Sequence, residues 1–268
     1  MNLFGSDCIG IGVSALSLSD GNARNVAIGT TAGATLRNGN SNVFLGHAAG
    51  DSSANNVSGR FIVGSSTAPT TQAFIGNGES NVTPLGIVFN ATGGFGANVA
   101  GASLTLAGGI GTGSGAGGSV IIQTAPASSS SSTPNALANR IVVLGSGLVG
   151  VNIDTPVSRL EVAGSYGCAI LTITGDTTLD ATHYTVLVDA SGGDVAVTVP
   201  TAASATSTNV GRIYNIKRID VSANTVTIVP SGGDTFFTTT SGNTSITVAP
   251  GTSYQLQANS FGTNWVAI

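Results

Sequence analysis

Sixty consecutive residues, Ser80 to Asn139, contain no Asp, Glu, Lys, Arg or His. Charged side chains make up 7% of the 268 residues, aromatics 5%, and there is a single lysine, Lys217. An ordinary monomeric surface carries charge at about a quarter or more of its positions, so a conventional solvated shell is excluded over the uncharged stretch. The seven arginines are scattered singly and the net charge is −4. That leaves no basic stripe to neutralise phosphates and argues against a nucleic-acid partner. No apolar run approaches the ~18 residues of a membrane helix, so no membrane insertion is expected. The first twenty residues have no cationic n-region, and glycines break their apolar stretch, so the chain is expected to fold in the cytoplasm where it is made. The two cysteines, Cys8 and Cys168, read as small buried residues rather than a disulfide.

Groups that could converge for chemistry are also few. His47 follows a repeat glycine and His183 precedes a strand. Each is isolated, with no H-E-x-x-H, no cysteine pair and no carboxylates at metal-ligand spacing. Neither a G-x-S-x-G elbow nor a P-loop occurs. The stretch RIVVLGSGLVG, Arg140 to Gly150, does hold a G-x-G-x-x-G at Gly145, Gly147 and Gly150. A dinucleotide site needs the last glycine to open a helix and an acid about 20 residues on to meet the ribose. Here Val151 and Ile153 alternate with polar residues and a turn follows at Asp154 to Pro156, so no helix fits. A second match, Gly113 to Gly118, runs into the strand-like S-V-I-I-Q-T. Both are expected to be β-turns, and no catalytic residue, metal site or cofactor is predicted.

What the chain does have is glycine, 39 residues of it, with abundant β-branched residues and a mean hydropathy of +0.34. Disordered chains of low charge lack such apolar content, so the protein should be ordered, and ordered as β. The N-terminal part repeats: I-G-I-G ends at Gly12, V-A-I-G at Gly29, V-F-L-G at Gly46, F-I-V-G at Gly64 and A-F-I-G at Gly76. Each copy reads as a short apolar strand, a glycine turn, a small-residue strand and a second turn. One such unit cannot bury its apolar face alone, so the copies must stack.

Four regions follow: a Gly-turn repeat region over 1–89, an uncharged Gly/Ser-rich intertwined shaft over 90–140, a connector over 141–165 and a C-terminal β-sandwich over 166–268. In the shaft, glycine at this density permits close approach between chains, and Ser128 to Ser132 reads as a loop. In the last region Y-T-V-L-V-D, V-A-V-T-V, T-V-T-I-V, S-I-T-V and S-Y-Q-L-Q-A alternate with period two between turn clusters, S-G-G-D appearing twice. That is the pattern of a small β-sandwich. Its final W-V-A-I reads as a strand tied into the sheet.

Within it Phe236 and Phe237 are candidate contact aromatics, because one of an adjacent pair on a strand faces away from the core. That one either packs under a neighbouring strand or chain, or contacts a host surface. The six Asp from Asp176 to Asp234 fall mainly at strand ends and turns, where Asp accepts local backbone hydrogen bonds.

Two stretches carry a resemblance. L-T-L-A-G-G-I-G-T-G-S-G-A-G-G-S-V-I-I-Q-T-A-P and G-L-V-G-V-N-I-D-T-P-V-S-R-L-E-V-A-G-S resemble the shaft-to-tip junction of tailed-bacteriophage fibre and spike proteins. In the second, Gly147, Val149, Gly150, Val151, Pro156, Leu160, Val162 and Gly164 match the family form, while Asn152 and Asp154 replace its small residues. The segment from Tyr184 to Ile268 is similar to a C-terminal β-domain recurrent in phage structural proteins. The V-A-I-G-x-x-A-G copies look like the head repeats of trimeric autotransporter adhesins.

The resemblance implies an all-β homotrimer, with a β-helical, intertwined shaft followed by a jelly-roll-like knob. It also implies a place on the virion surface and, as partners, other copies of the chain, tail, baseplate or capsid proteins and a host surface glycan or protein. The expected role is a non-enzymatic virion fibre. The alternatives are a polysaccharide depolymerase spike working through paired carboxylates, a capsid-decorating fibre without a receptor role, and a cellular trimeric adhesin module.

Overall fold

The computed structural model describes residues 6–19, 21, 23–50, 57–75, 82–128, 132–202, 211–237, 242–259 and 264–268. All regular structure among them is β. The chain divides into two compact units, Met1–Leu104 and Thr105–Ile268, and the division falls inside the uncharged stretch.

In the first unit the repeats become a stack of coils. Strands β1 (Ile9–Ile11), β2 (Val26–Ile28), β3 (Val43–Leu45) and β4 (Phe61–Val63) lie side by side in that order. All pairs are parallel, with Ile9, Val26, Val43 and Phe61 in register. Period-two alternation sends the middle residue of each triplet inward. Ala27 and Phe44 are buried there with Leu16, Ala32, Leu36 and Ala49. Phe44 is the one large ring, and glycine makes room for it: a Cβ on Gly50 would lie 2.6 Å from the ring, and one on Gly33 2.8 Å.

The backbone repeats even where the residue type does not. Asp7, Arg24 and Ser41 share φ near +58°, as do Ser14 and Thr31, with Ala48 at +51°; Leu16, Gly33 and Gly50 also lie at positive φ. Two such left-handed residues per segment keep T-T-A-G and H-A-A-G from extending, so the second strand expected in each copy is a run of turns instead. These turns still pass hydrogen bonds from coil to coil, as in Leu16 N–H to Ala32 O (3.0 Å) and Gly33 N–H to Ala49 O (2.9 Å).

Buried Asn25 and Asn42 form a second ladder. The Asn42 backbone and amide N–H groups donate to Asn25 Oδ1 at 2.9 and 3.1 Å. Asn42 Nδ2 donates to Val57 O (2.8 Å), and Asn42 Oδ1 accepts from Arg60 N–H (3.0 Å).

The fifth copy forms no strand at Ala73 to Ile75, and Phe74 and Ile75 are exposed. Its 12-residue interval from Gly64 to Gly76 is shorter than the 17 residues between Gly12 and Gly29 that make a coil. Gly76 itself lies outside the described residues.

In the second unit, β5 (Val120–Thr124), β6 (Ala138–Val143), β7 (Val149–Val151) and β8 (Leu160–Val162) form one sheet. The first glycine fingerprint is the β6–β7 hairpin turn, closed by Gly147 N–H to Leu144 O at 2.8 Å with Gly147 at φ +83°. The second is also a turn, with Gly115 N–H donating to Thr112 O at 2.9 Å.

The rest of the unit encloses a core between two sheets. One is built on β9 (Ile170–Ile173), β11 (Thr185–Val188) and β13 (Ile213–Arg218), the other on β10 (Thr177–Thr178), β12 (Val195–Val199) and β14 (Val226–Pro230). Both triplets are parallel, so the chain winds alternately through the two sheets. Later strands then close the sheets. β17 (Ile246–Thr247) runs antiparallel to β14, and β18 (Ser253–Ala258) antiparallel to β13. β15 (Thr235–Phe237), β16 (Gly242–Asn243) and β19 (Asn264–Ala267) complete the larger sheet.

The region is therefore a two-sheet β-structure, but the jelly roll is corrected. A jelly roll pairs antiparallel strands, whereas successive strands here change sheet, so each meets the strand two elements away in parallel.

Val195, Val197 and Val199 alternate inward against Val186, Val188, Ile216, Ile228 and Leu256. Trp265 closes the core, fully buried, with its indole N–H on Pro200 O at 2.9 Å and its ring 5.3 Å from that of Tyr214. One ion pair is buried at the strand ends: Arg218 Nε and Nη2 fork onto Asp220 at 3.1 and 3.0 Å. Asp220 also accepts from Ala190 N–H and Ser222 N–H, both at 2.8 Å.

Candidate functional site

The turn glycines Gly12, Gly29, Gly46 and Gly64 stack on one another at the ends of β1 to β4. A Cβ on Gly12 would lie 2.4 Å from Gly29 O, and one on Gly29 2.4 Å from Gly46 O. They are spacers that let coils approach, and no ligand-binding group converges on them.

The flanking residues of each strand triplet matter more. Ile9, Ile11, Val26, Ile28, Val43, Leu45, Phe61 and Val63 are brought into two rows of four by the parallel register. None of the eight is buried, and Ile11 and Phe61 are 57% and 69% exposed. Sequence alternation over only three residues does not announce such a face; it appears once the register is known.

Phe236 is fully buried in the core, so it leaves the list of contact aromatics, while Phe237 is 44% exposed. Phe237 lies in register with Val266, which is in turn opposite Gln257 and through it Ile213, all on the outer face of the larger sheet.

The six Asp from Asp176 to Asp234 each accept a backbone N–H. Asp176 takes Ala196 N–H (2.7 Å), Asp189 takes Ser191 N–H (2.9 Å), Asp194 takes Thr225 N–H (2.6 Å) and Asp234 takes Ala202 N–H (2.6 Å). Asp180 and Asp220 take those of Thr182 and Ser222. No group of three His, Cys, Asp or Glu able to hold a metal occurs among the described residues. His47 is exposed, 3.5 Å from Thr67 Oγ1.

A cleft of about 560 Å³ opens where the chain leads into β9, β11 and β13, lined by Cys168, Thr182, His183, Tyr184, Arg212 and Ile213 among others. Parallel pairing stacks these three segments, with Thr185 N–H on Ala169 O (2.9 Å) and Asn215 N–H on Tyr184 O (2.8 Å). Asp180 orients the imidazole: His183 Nδ1 lies 2.7 Å from its Oδ1. The same oxygen accepts Thr182 Oγ1–H (2.6 Å) and Thr182 N–H (2.8 Å). The Thr182 hydroxyl, then its backbone N–H, and then His183 hold the Asp180 carboxyl down at about 2.

Tyr214, whose hydroxyl donates to Asp180 O at 2.8 Å, has its pKa raised by burial, and the neighbouring Arg212 guanidinium opposes that shift. A hydrogen bond to Tyr184 raises the Tyr166 phenol.

Cys168, His183 and Asp180 have the residue types of a nucleophile, base and orienter. Cys168 makes no hydrogen bond to His183, however, and both cysteines are free thiols of intermediate exposure. The arrangement does not assemble a nucleophile on its base.

No family model matches the chain, and no curated protein or solved structure matches it either.

Proposed function

We propose that this chain is the subunit of a homotrimeric fibre or spike on the surface of a tailed phage, attached to tail, baseplate or capsid and presenting surfaces for host adsorption. The reading rests on one observation above the others: the eight-residue apolar face of β1 to β4. Soluble monomers rarely leave a contiguous apolar patch of that kind uncovered, and a second copy offers the matching surface.

The uncharged stretch supports the same conclusion. Val82, Leu85, Phe89, Phe95 and Ile110 are exposed on a single chain. Between β4 and β5 no strand is present among the described residues. Neighbouring chains would supply both the cover and the backbone partners. Three copies rather than two follows from the resemblance to fibre proteins. The role is presentation: three identical weak sites on one trimer raise avidity for a repetitive host surface.

Light scattering on the untagged protein tests this. The expected molar mass is three times the 26.2 kDa of one chain, falling towards one chain when Ile28 and Leu45 are both changed to Asn. A well-folded 26.2 kDa wild-type monomer would overturn the proposal.

A further inference from the structure

We infer that the cleft at the start of β9, β11 and β13 is a binding site for an oxyanion, a carboxylate or a phosphate, carried on a small hydroxylated body. Among the described residues Arg212 is the one permanently charged group in its lining, and no carboxylate lines it. Arg212 forms no ion pair among the described residues, where the two pairs are His183 with Asp180 and Arg218 with Asp220. Asp180 is already engaged: its Oδ1 accepts Thr182 N–H and Oγ1–H and lies 2.7 Å from His183 Nδ1.

The guanidinium is held beside the Tyr214 hydroxyl, whose own proton goes to Asp180 O. One arm of its fork thus faces the Tyr214 hydroxyl, and with no ion pair among the described residues the guanidinium keeps the charge and the further donors that capture of a carboxylate or phosphate uses. Around it stand the Thr182 hydroxyl, the imidazole edge left after His183 Nδ1 is committed to Asp180, and the ring and hydroxyl of Tyr184. These groups suit a ligand with hydroxyls on a compact ring better than a purely apolar one. The volume lies within the range of small-ligand sites.

The inference holds for one chain or three, so it fails by affinity while the fibre proposal fails by molar mass. The full chain would be titrated calorimetrically with glucuronate, glucose 1-phosphate and glucose. One or both anions should bind at least about ten-fold more tightly than glucose, and the preference should shrink as salt rises. Binding of glucuronate alone identifies a uronate-type ligand, and binding of glucose 1-phosphate alone a phosphorylated one. Arg212→Gln should lower that affinity about ten-fold or more at unchanged molar mass and melting midpoint, with Arg212→Lys between the two.

As a check independent of any variant, the ring signals of His183 and Tyr184 should move in the NMR spectrum of the wild type as glucuronate or glucose 1-phosphate is added. Anions binding no better than glucose, an Arg212→Gln protein binding like the wild type, or shifts confined to other residues would each overturn the assignment.

Discussion

Gly29 and Ala48 occupy left-handed backbone in the same coil stack, for opposite reasons. At Gly29, φ is +135° and an added Cβ would meet Gly46 O at 2.4 Å, so the position excludes any side chain. At Ala48, φ is +51°, which an L-residue tolerates at a cost of roughly 1–2 kcal/mol. Gly29→Ala should therefore destabilise the first unit by about 2 kcal/mol or more. Ala48→Gly should be neutral or stabilise it by up to about 1 kcal/mol, since relief of strain outweighs glycine's extra chain entropy. Paired thermal melts of the two variants check both signs.

The glycine was legible in the sequence because V-A-I-G and V-F-L-G recur in register. The strain at Asp7, Arg24 and Ser41 was not, since nothing in three unlike residues marks a shared φ. Phe236 and Phe237 show the same limit: alternation says that one faces out, and only the core says which.

At the level of elements, β19 is held from both sides, parallel to β15 and antiparallel to β18, and Trp265 is its anchor. Trp265→Ala removes a fully buried ring together with the donor to Pro200 O, and should cost about 3–5 kcal/mol. Urea denaturation of the variant should show an earlier midpoint for the second unit, with the first unit's transition unmoved.

All the alternating runs picked from the sequence of this unit became strands, because period two survives whichever neighbour a strand finds. Their pairing did not follow from the same pattern. Parallel winding and a jelly roll demand the same inward valines, and the distinction lies in turn geometry at segments such as Asp189 to Asp194. The cleft is not legible in the sequence for a related reason. Cys168, His183 and Arg212 are far apart in the chain, and only the stacking of β9, β11 and β13 brings their segments together.

For the molecule as a whole, acid is a selective stress. Asp180 is held at about 2 against an ordinary 3.8, and the Arg218 fork and Ser222 hold Asp220 lower still. A carboxyl whose folded pKa is depressed stabilises the fold fully above its unfolded pKa and loses that contribution as pH falls through the folded one. Stability of the second unit should therefore be level above about pH 5 and decline from about pH 4 to below 2. Asp220→Asn should flatten part of that decline, as followed by melting at stepped pH.

The coil stack also measures length. The two middle coils give their asparagine, glycine and turn hydrogen bonds to the neighbouring coils one strand spacing away, about 4.8 Å. A duplicated block of 17 residues would find the same backbone partners above and below that residues 25–41 find now. Length along the stack is thus counted in whole repeats, and a lineage could lengthen or shorten this part of the molecule by duplication or loss of a cassette while the backbone ladder between coils is kept.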